Sequence, residues 1–165
     1  LQQCEENYNG ESIVDAKLPA QKFGGVYDNG VYVDVHKATK LKGFSVTEKW
    51  NPSDQKETRE GFVNVPVLES TLPGSSFNFS FDGNAVGIAI VSGPDAGIIE
   101  YRIDEGKAVV LNLFTPWSNS LHLPWYLMLG DGLKNGKHIL EIKVSSIKGN
   151  GGGNACRIVH FLVNE

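Results

Sequence analysis

The chain has 165 residues, 41% of them hydrophobic, and a formal net charge of −4; that is enough length to bury one ordinary core without a metal or several disulfides. Its lysines and arginines are scattered, which gives no electrostatic footprint for nucleic acid or an anionic membrane. No stretch approaches the roughly 20 consecutive apolar residues of a membrane span, so membrane insertion is not expected. The two cysteines, Cys4 and Cys156, are too few for a disulfide scaffold and wrongly spaced for zinc. They are either free thiols or one bridge tying the two ends together, which would add up to about 5 kcal/mol.

Residues 1–22 are polar and poorly periodic, and read as an N-terminal segment or linker remnant before a single domain over 23–165. Asp28-Asn29-Gly30 is a turn signal, followed by a strand in which Val31, Val33 and Val35 alternate with polar residues. Phe44 to Trp50 is a second strand candidate, and Asn51 to Glu60 an exposed loop. Pro66 interrupts Phe62 to Leu68 and marks an edge strand or irregular crossing. Phe77, Phe79 and Phe81 share one face of the next strand, and Ala85 to Val91 is apolar throughout, as in a doubly covered strand. Ile99, Tyr101 and Ile103 alternate with Glu100, Arg102 and Asp104. Lys107 to Phe114 returns as a strand expected to be buried on both faces, completing a hairpin, and an aromatic loop follows that carries Trp117 and Trp125. His138 to Val144 and Ala155 to Val163 are the last strands, separated by a glycine-rich stretch, 147–154, expected to be mobile. Many short strands, frequent Gly/Asp/Asn turns and no amphipathic helix specify an all-β fold, an antiparallel β-sandwich of jelly-roll type. An immunoglobulin-like sandwich is the structural alternative, weakened by the absence of a cysteine pair around a tryptophan.

Chemistry is sparse. There is no GxSxG, no Gly-Asp-Ser block, no HExxH, and His36, His122, His138 and His160 fall in separate elements, so no metal or other cofactor is expected. The informative cluster is Trp117, His122, Trp125 and Tyr126, with Trp50, Arg59 and Asp95 as further contacts. Flat rings stack on the apolar face of a sugar, while imidazole, phenol and indole N–H groups bond its hydroxyls. The competing reading, that the same rings close one end of the sandwich or pack against another domain, is favoured over a sugar site by Leu121, Leu123 and Pro124, which interleave with them.

Five ordered blocks, GFVNVPVLES, GPDAGIIEYRID, LNLFTPWSNSLHLPWY, LKNGKHILEIKV and ACRIVHFLVNE, span the chain from about Tyr27 to Glu165. Together they resemble the accessory β-domain found with SGNH/GDSL-type hydrolases of the Bacteroidetes kind. The resemblance implies a galactose-binding-like jelly roll beside an esterase domain in an exported carbohydrate-processing enzyme. That family's Gly-Asp-Ser nucleophile block and late Asp-x-x-His pair do not occur in this chain. The expected role is therefore a non-catalytic accessory module, a monomer, which binds glycan or shapes a neighbouring active site. Two other readings stay open: an independent hydrolase assembled from Asp95, His122 and Glu100, and a structural cell-surface interaction domain.

Overall fold

A computed structural model describes residues 27–165, all but two short 3-10 turns of it strand and loop. The expected boundary near residue 22 and the Cys4 half of the bridge lie outside the described residues. Among the described residues eleven strands form two antiparallel sheets. The six-stranded sheet holds β3 (Ser45–Thr47), β4 (Val67–Ser70), β11 (Cys156–Asn164), β6 (Ala85–Ser92) and β9 (Leu123–Gly130) in that order, with β1 (Gly30–Asp34) also paired to β11. The five-stranded sheet runs β2 (Ala38–Lys42), β5 (Ser76–Gly83), β10 (Gly136–Val144), β7 (Ile98–Ile103) and β8 (Val109–Asn112). The fold is the jelly-roll sandwich that the turn spacing specifies.

Alternation explains which residues meet between the layers. Leu68, Val86, Ile88, Ile90, Ile158 and Phe161 point inward from one sheet, and Phe77, Phe79, Ile99, Leu140 and Ile142 from the other. Phe79 stacks on Phe161 at 3.8 Å and 6°, and Phe44 meets Phe77 edge to face at 4.9 Å, so the phenylalanine face of β5 is the centre of the core. Each such ring contributes about 1.5–3 kcal/mol by burial.

The odd-facing residues of the six-stranded sheet are buried as well at one end. Val67, Val91 and Val159 point away from the main core, yet they are covered by Trp50, Phe62 and Val65. Residues 48–66 thus cross the outer face of the sheet, and Trp50 with its partners forms a second, smaller core. This is why the strand expected over Phe44 to Trp50 stops at Thr47: Trp50 N donates to Val65 O (3.1 Å) and Asn64 N to Trp50 O (2.8 Å), bonds that close the loop instead of extending a ladder. Pro66 delays the following strand to Val67.

Three further expectations are corrected. β8 is short and lies at a sheet edge with Val109 and Val110 exposed, so it is not buried on both faces. Trp125 and Tyr126 belong to a strand, β9, and not to a loop. The glycine-rich stretch packs flat on 94–97: a Cβ at Gly149, Gly151 or Gly153 would run into the carbonyls of Ala96, Pro94 or Asp95. Gly97 N donates to Ala155 O and Ala155 N to Asp95 O, both at 2.9 Å, locking the two segments together. Glycine at alternate positions is what allows that contact.

Candidate functional site

The structure separates the aromatic cluster into three environments, divided by the edge strand β9. Successive β9 residues face opposite ways. Trp125 lies across from Ile90 and so faces the inter-sheet side at the rim, whereas Tyr126 lies across from Ala89 and faces outward.

At the rim, Trp117 and Trp125 stack at 5.7 Å between ring centroids and 25° between planes. They are 64% and 38% exposed, so the pair closes little of the core and presents indole surface to solvent. Trp117 is carried by a 3-10 turn, Pro116–Asn119, whose start is doubly capped: Ser118 N donates to Thr115 Oγ1 (3.2 Å) and Thr115 N to Ser118 Oγ (3.1 Å). Pro116 presets the backbone for that turn. Below it Ser118 Oγ is 2.9 Å from Ser92 Oγ, and Ser92 Oγ donates to Leu113 O (2.7 Å), all in buried positions. The turn is thus anchored to β6, and its one large exposed side chain is Trp117.

On the outer face, Tyr126 and Tyr32 reach toward each other from β9 and β1 across β6 and β11. They are 52% and 66% exposed, and partial burial together with the neighbouring Tyr32 phenol raises the Tyr126 phenol above its ordinary pKa. Gly87 and Ala89 put almost no side chain between them. A trough of about 300 Å³ results, lined mainly by Tyr27, Val31, Tyr32, Tyr126, Met128 and Leu162. At Gly87 a Cβ would lie 2.5 Å from Leu127 O and 3.0 Å from Met128 Sδ, so glycine is required for β9 to approach this closely.

The third environment is a buried polar clasp beneath residues 48–66. Arg157 donates from Nη1 and Nη2 to the two oxygens of Asp95 (2.8 and 2.6 Å), and its guanidinium lies 5.5 Å from the Trp50 ring centroid. Trp50, only 3% exposed, donates from Nε1 to Glu69 Oε2 (3.1 Å), and Thr47 Oγ1 donates to Glu69 Oε1 (2.7 Å). Partial burial pushes the Asp95 carboxyl up, but the Arg157 hydrogen bonds and charge prevail and hold it below the usual range. His122 is buried edge-on against Trp50, with Nε2 3.0 Å from Asp54 Oδ1, while its backbone N–H donates to Glu57 O (2.8 Å). Its Nδ1 has no hydrogen-bond partner among the described residues.

Of the residues singled out from sequence, then, Trp117 and Trp125 come together in the open, Tyr126 turns to the other face, and Trp50, His122 and Asp95 are engaged in the clasp. Arg59 is exposed on the crossing loop and takes no part in the clasp's hydrogen bonds. Glu100 sits in the five-stranded sheet, 3.4 Å from Ser145 Oγ, and lines that sheet's polar outer face with Asn78, Arg102, Glu141 and Lys143. The hydrolytic arrangement of Asp95, His122 and Glu100 is not assembled. Sequence reasoning missed Tyr32, Glu69 and Arg157, whose roles depend on β1, β4 and β11 lying side by side. Cys156 is a free thiol in the core, and burial pushes its pKa up to about 12. Among the described residues no group of His, Cys, Asp and Glu could hold a metal ion, and no helix is long and apolar enough to cross a membrane.

No protein-family model and no curated protein matches the sequence. Solved structures do share the fold. The chain superposes on a two-domain esterase active on acetylated mannans with a TM-score of 0.70 at 13% identity, covering 95% of this chain and 41% of that one. It also matches a Podospora anserina β-(1,4)-mannanase described as GH26-CBM35, with a TM-score of 0.56 at 13% identity over 84% of this chain and 28% of that one. An exo-β-1,3-galactanase from Phanerochaete chrysosporium gives 0.54 at 10% identity, covering 81% of this chain and 29% of that one. The chain therefore spans less than half the length of each of these carbohydrate-active proteins.

Proposed function

We propose that this chain is a non-catalytic, carbohydrate-binding accessory module of an exported SGNH/GDSL-type carbohydrate esterase, and that the Trp117–Trp125 pair is its glycan contact. One observation carries the reading: two stacked indoles stand exposed, Trp125 on β9 and Trp117 on a turn whose own polar groups are satisfied beneath it. Rings needed only to close the sandwich would be buried as Trp50 is. A rigid indole face gains dispersion and CH–π contact with a pyranose while losing little side-chain entropy on binding. The sandwich fold shared with glycan-active enzymes supports the same reading, and so does the engagement of Asp95 and His122 in the clasp. The contact would either hold glycan directly or complete the wall of a neighbouring esterase site.

Acetylated manno-oligosaccharides, the glycan class of the two-domain esterase above, are the first probes for calorimetric titration. Trp117→Ala is expected to weaken binding by about tenfold or more while leaving unfolding cooperative, because the ring is mostly exposed. Trp125→Ala should act in the same direction. Binding that is equally strong in both variants refutes the assignment of the contact, and failure to bind any of a broad set of plant and fungal glycans refutes direct glycan recognition by the chain.

A further inference from the structure

His138, near the start of β10, is bonded at both ring nitrogens to groups that can only accept. Its Nδ1 lies 2.7 Å from Asp104 Oδ2, and its Nε2 lies 2.7 Å from Lys134 O. A neutral imidazole carries one N–H, so it satisfies one of these oxygens and turns a lone pair on the other; only the imidazolium donates to both. The surroundings favour that charge. The ring centroid is 5.3 Å from that of Phe81, close enough for the aromatic ring to attract a cation. Asp104 faces it from the end of β7 and Asp82 from β5, while Lys137, beside it on β10, stands opposite Asp82 in the ladder. With its side chain 12% exposed, His138 is also screened less than His36, which sits 46% exposed between Asp34 and Glu48.

The two oxygens belong to different parts of the fold. Asp104 starts the turn after β7 in a left-handed conformation (φ 54°) and is fixed to β10 by further bonds: its Oδ1 accepts from Ile139 N (2.9 Å) and its N–H donates to Ile139 O (2.8 Å). Lys134 lies in the connection between β9 and β10, residues 131–135, whose Leu133 packs against the core and donates its N–H to Asn84 O (2.9 Å). We propose that His138 is a pH-operated fastener: as imidazolium it ties this connection to the β7 turn, and on losing its proton it releases Lys134 and frees the end of the connection beyond Leu133. The carboxylate is the better acceptor and keeps the remaining proton, which leaves Nε2 and Lys134 O facing each other with lone pairs. The bond to Asp104, and then that to Lys134 O, hold the folded His138 above its ordinary 6.5; the bond from His138 in turn holds Asp104 below its ordinary 3.8. The fastening is therefore complete between those two ordinary values. It is lost as pH rises through the raised histidine value, and again as pH falls through the lowered carboxyl value. The device is independent of the glycan reading.

The test is NMR of the 165-residue chain, with His138 titrated through its ring signals and backbone order parameters measured on either side of the midpoint. The expected midpoint lies above 6.5. Across it the order parameters of Lys134 and Asn135 should fall from about 0.85 toward about 0.6, while Leu133 stays rigid on its bond to Asn84. His138→Gln should abolish that step, and Asp104→Asn should lower the midpoint by removing the facing charge. His36→Asn should leave both unchanged, because its carboxylate partners lie at the other contacts, Asp34 and Glu48. A midpoint at or below 6.5 overturns the proposal, and so do order parameters at 134 and 135 that ignore it. A step that survives His138→Gln, or that disappears in His36→Asn, belongs to another group and overturns it equally.

Discussion

Replacing Asp95 by alanine removes both oxygens that hold the Arg157 guanidinium, at 2.8 and 2.6 Å, while leaving the arginine in its buried position. Stripping one partner from a buried ion pair costs about 3–5 kcal/mol, most of it the stranding of the other charge. Two features reduce that figure here. Asp95 is itself half-exposed, and Arg157 Nε keeps Glu69 Oε2 at 3.5 Å, so about 2–3 kcal/mol is expected. For a domain of this size the loss corresponds to a fall in Tm of roughly 4–12 °C. Urea unfolding of Asp95→Ala, Arg157→Met and the double variant measures it, and the double variant should regain part of the loss because no buried charge remains. The pH dependence has a definite sign. The folded Asp95 carboxyl lies below its ordinary 3.8, so its contribution is present above that value and is lost as pH falls through the lower folded pKa. A loss under about 0.5 kcal/mol for Asp95→Ala, or a double variant no better than the single, would show a solvated pair and refute the clasp.

Two other outcomes follow from packing. Gly87→Ala should cost about 1–3 kcal/mol in equilibrium unfolding, since its methyl group meets Leu127 O and Met128 Sδ; unchanged stability would mean that β9 does not lie so close to β6. Cys156, buried and held protonated up to about pH 12, should resist a thiol reagent at neutral pH in the native protein and react once urea unfolds it; rapid native labelling would contradict its place in the core.

The strands of the core were legible because period-2 alternation is local. Phe77, Phe79 and Phe81 on β5, and Ile99 with Ile103 on β7, need only their own neighbours to declare a face. β8 misled because an apolar run reads the same whether a strand is central or at an edge, and only topology distinguishes them. Trp125 was misplaced for a related reason: Pro124 and the preceding polar residues suggest a loop, yet the ladder to β6 carries the strand through the proline, which sits near its start. The site was legible as residue types and not as an arrangement. Trp117, Trp125 and Tyr126 stand within ten positions of one another, but sequence proximity says nothing of which way a strand turns them. Tyr32 and Arg157 lie far away in the chain and join Tyr126 and Asp95 only through pairings of β11. Glycine spacing in 149–153 is ambiguous in the sequence, since glycines that loosen a loop also permit two backbones to touch when they alternate.

The short turn bearing Trp117 separates what holds it from what it displays. Thr115, Ser118 and Ser92 close their bonds among themselves and with main-chain atoms, and the indole takes no part in them. Position 117 is consequently a socket: exchanging its occupant for tyrosine, arginine or glutamine changes the face that the turn displays at little expense to folding.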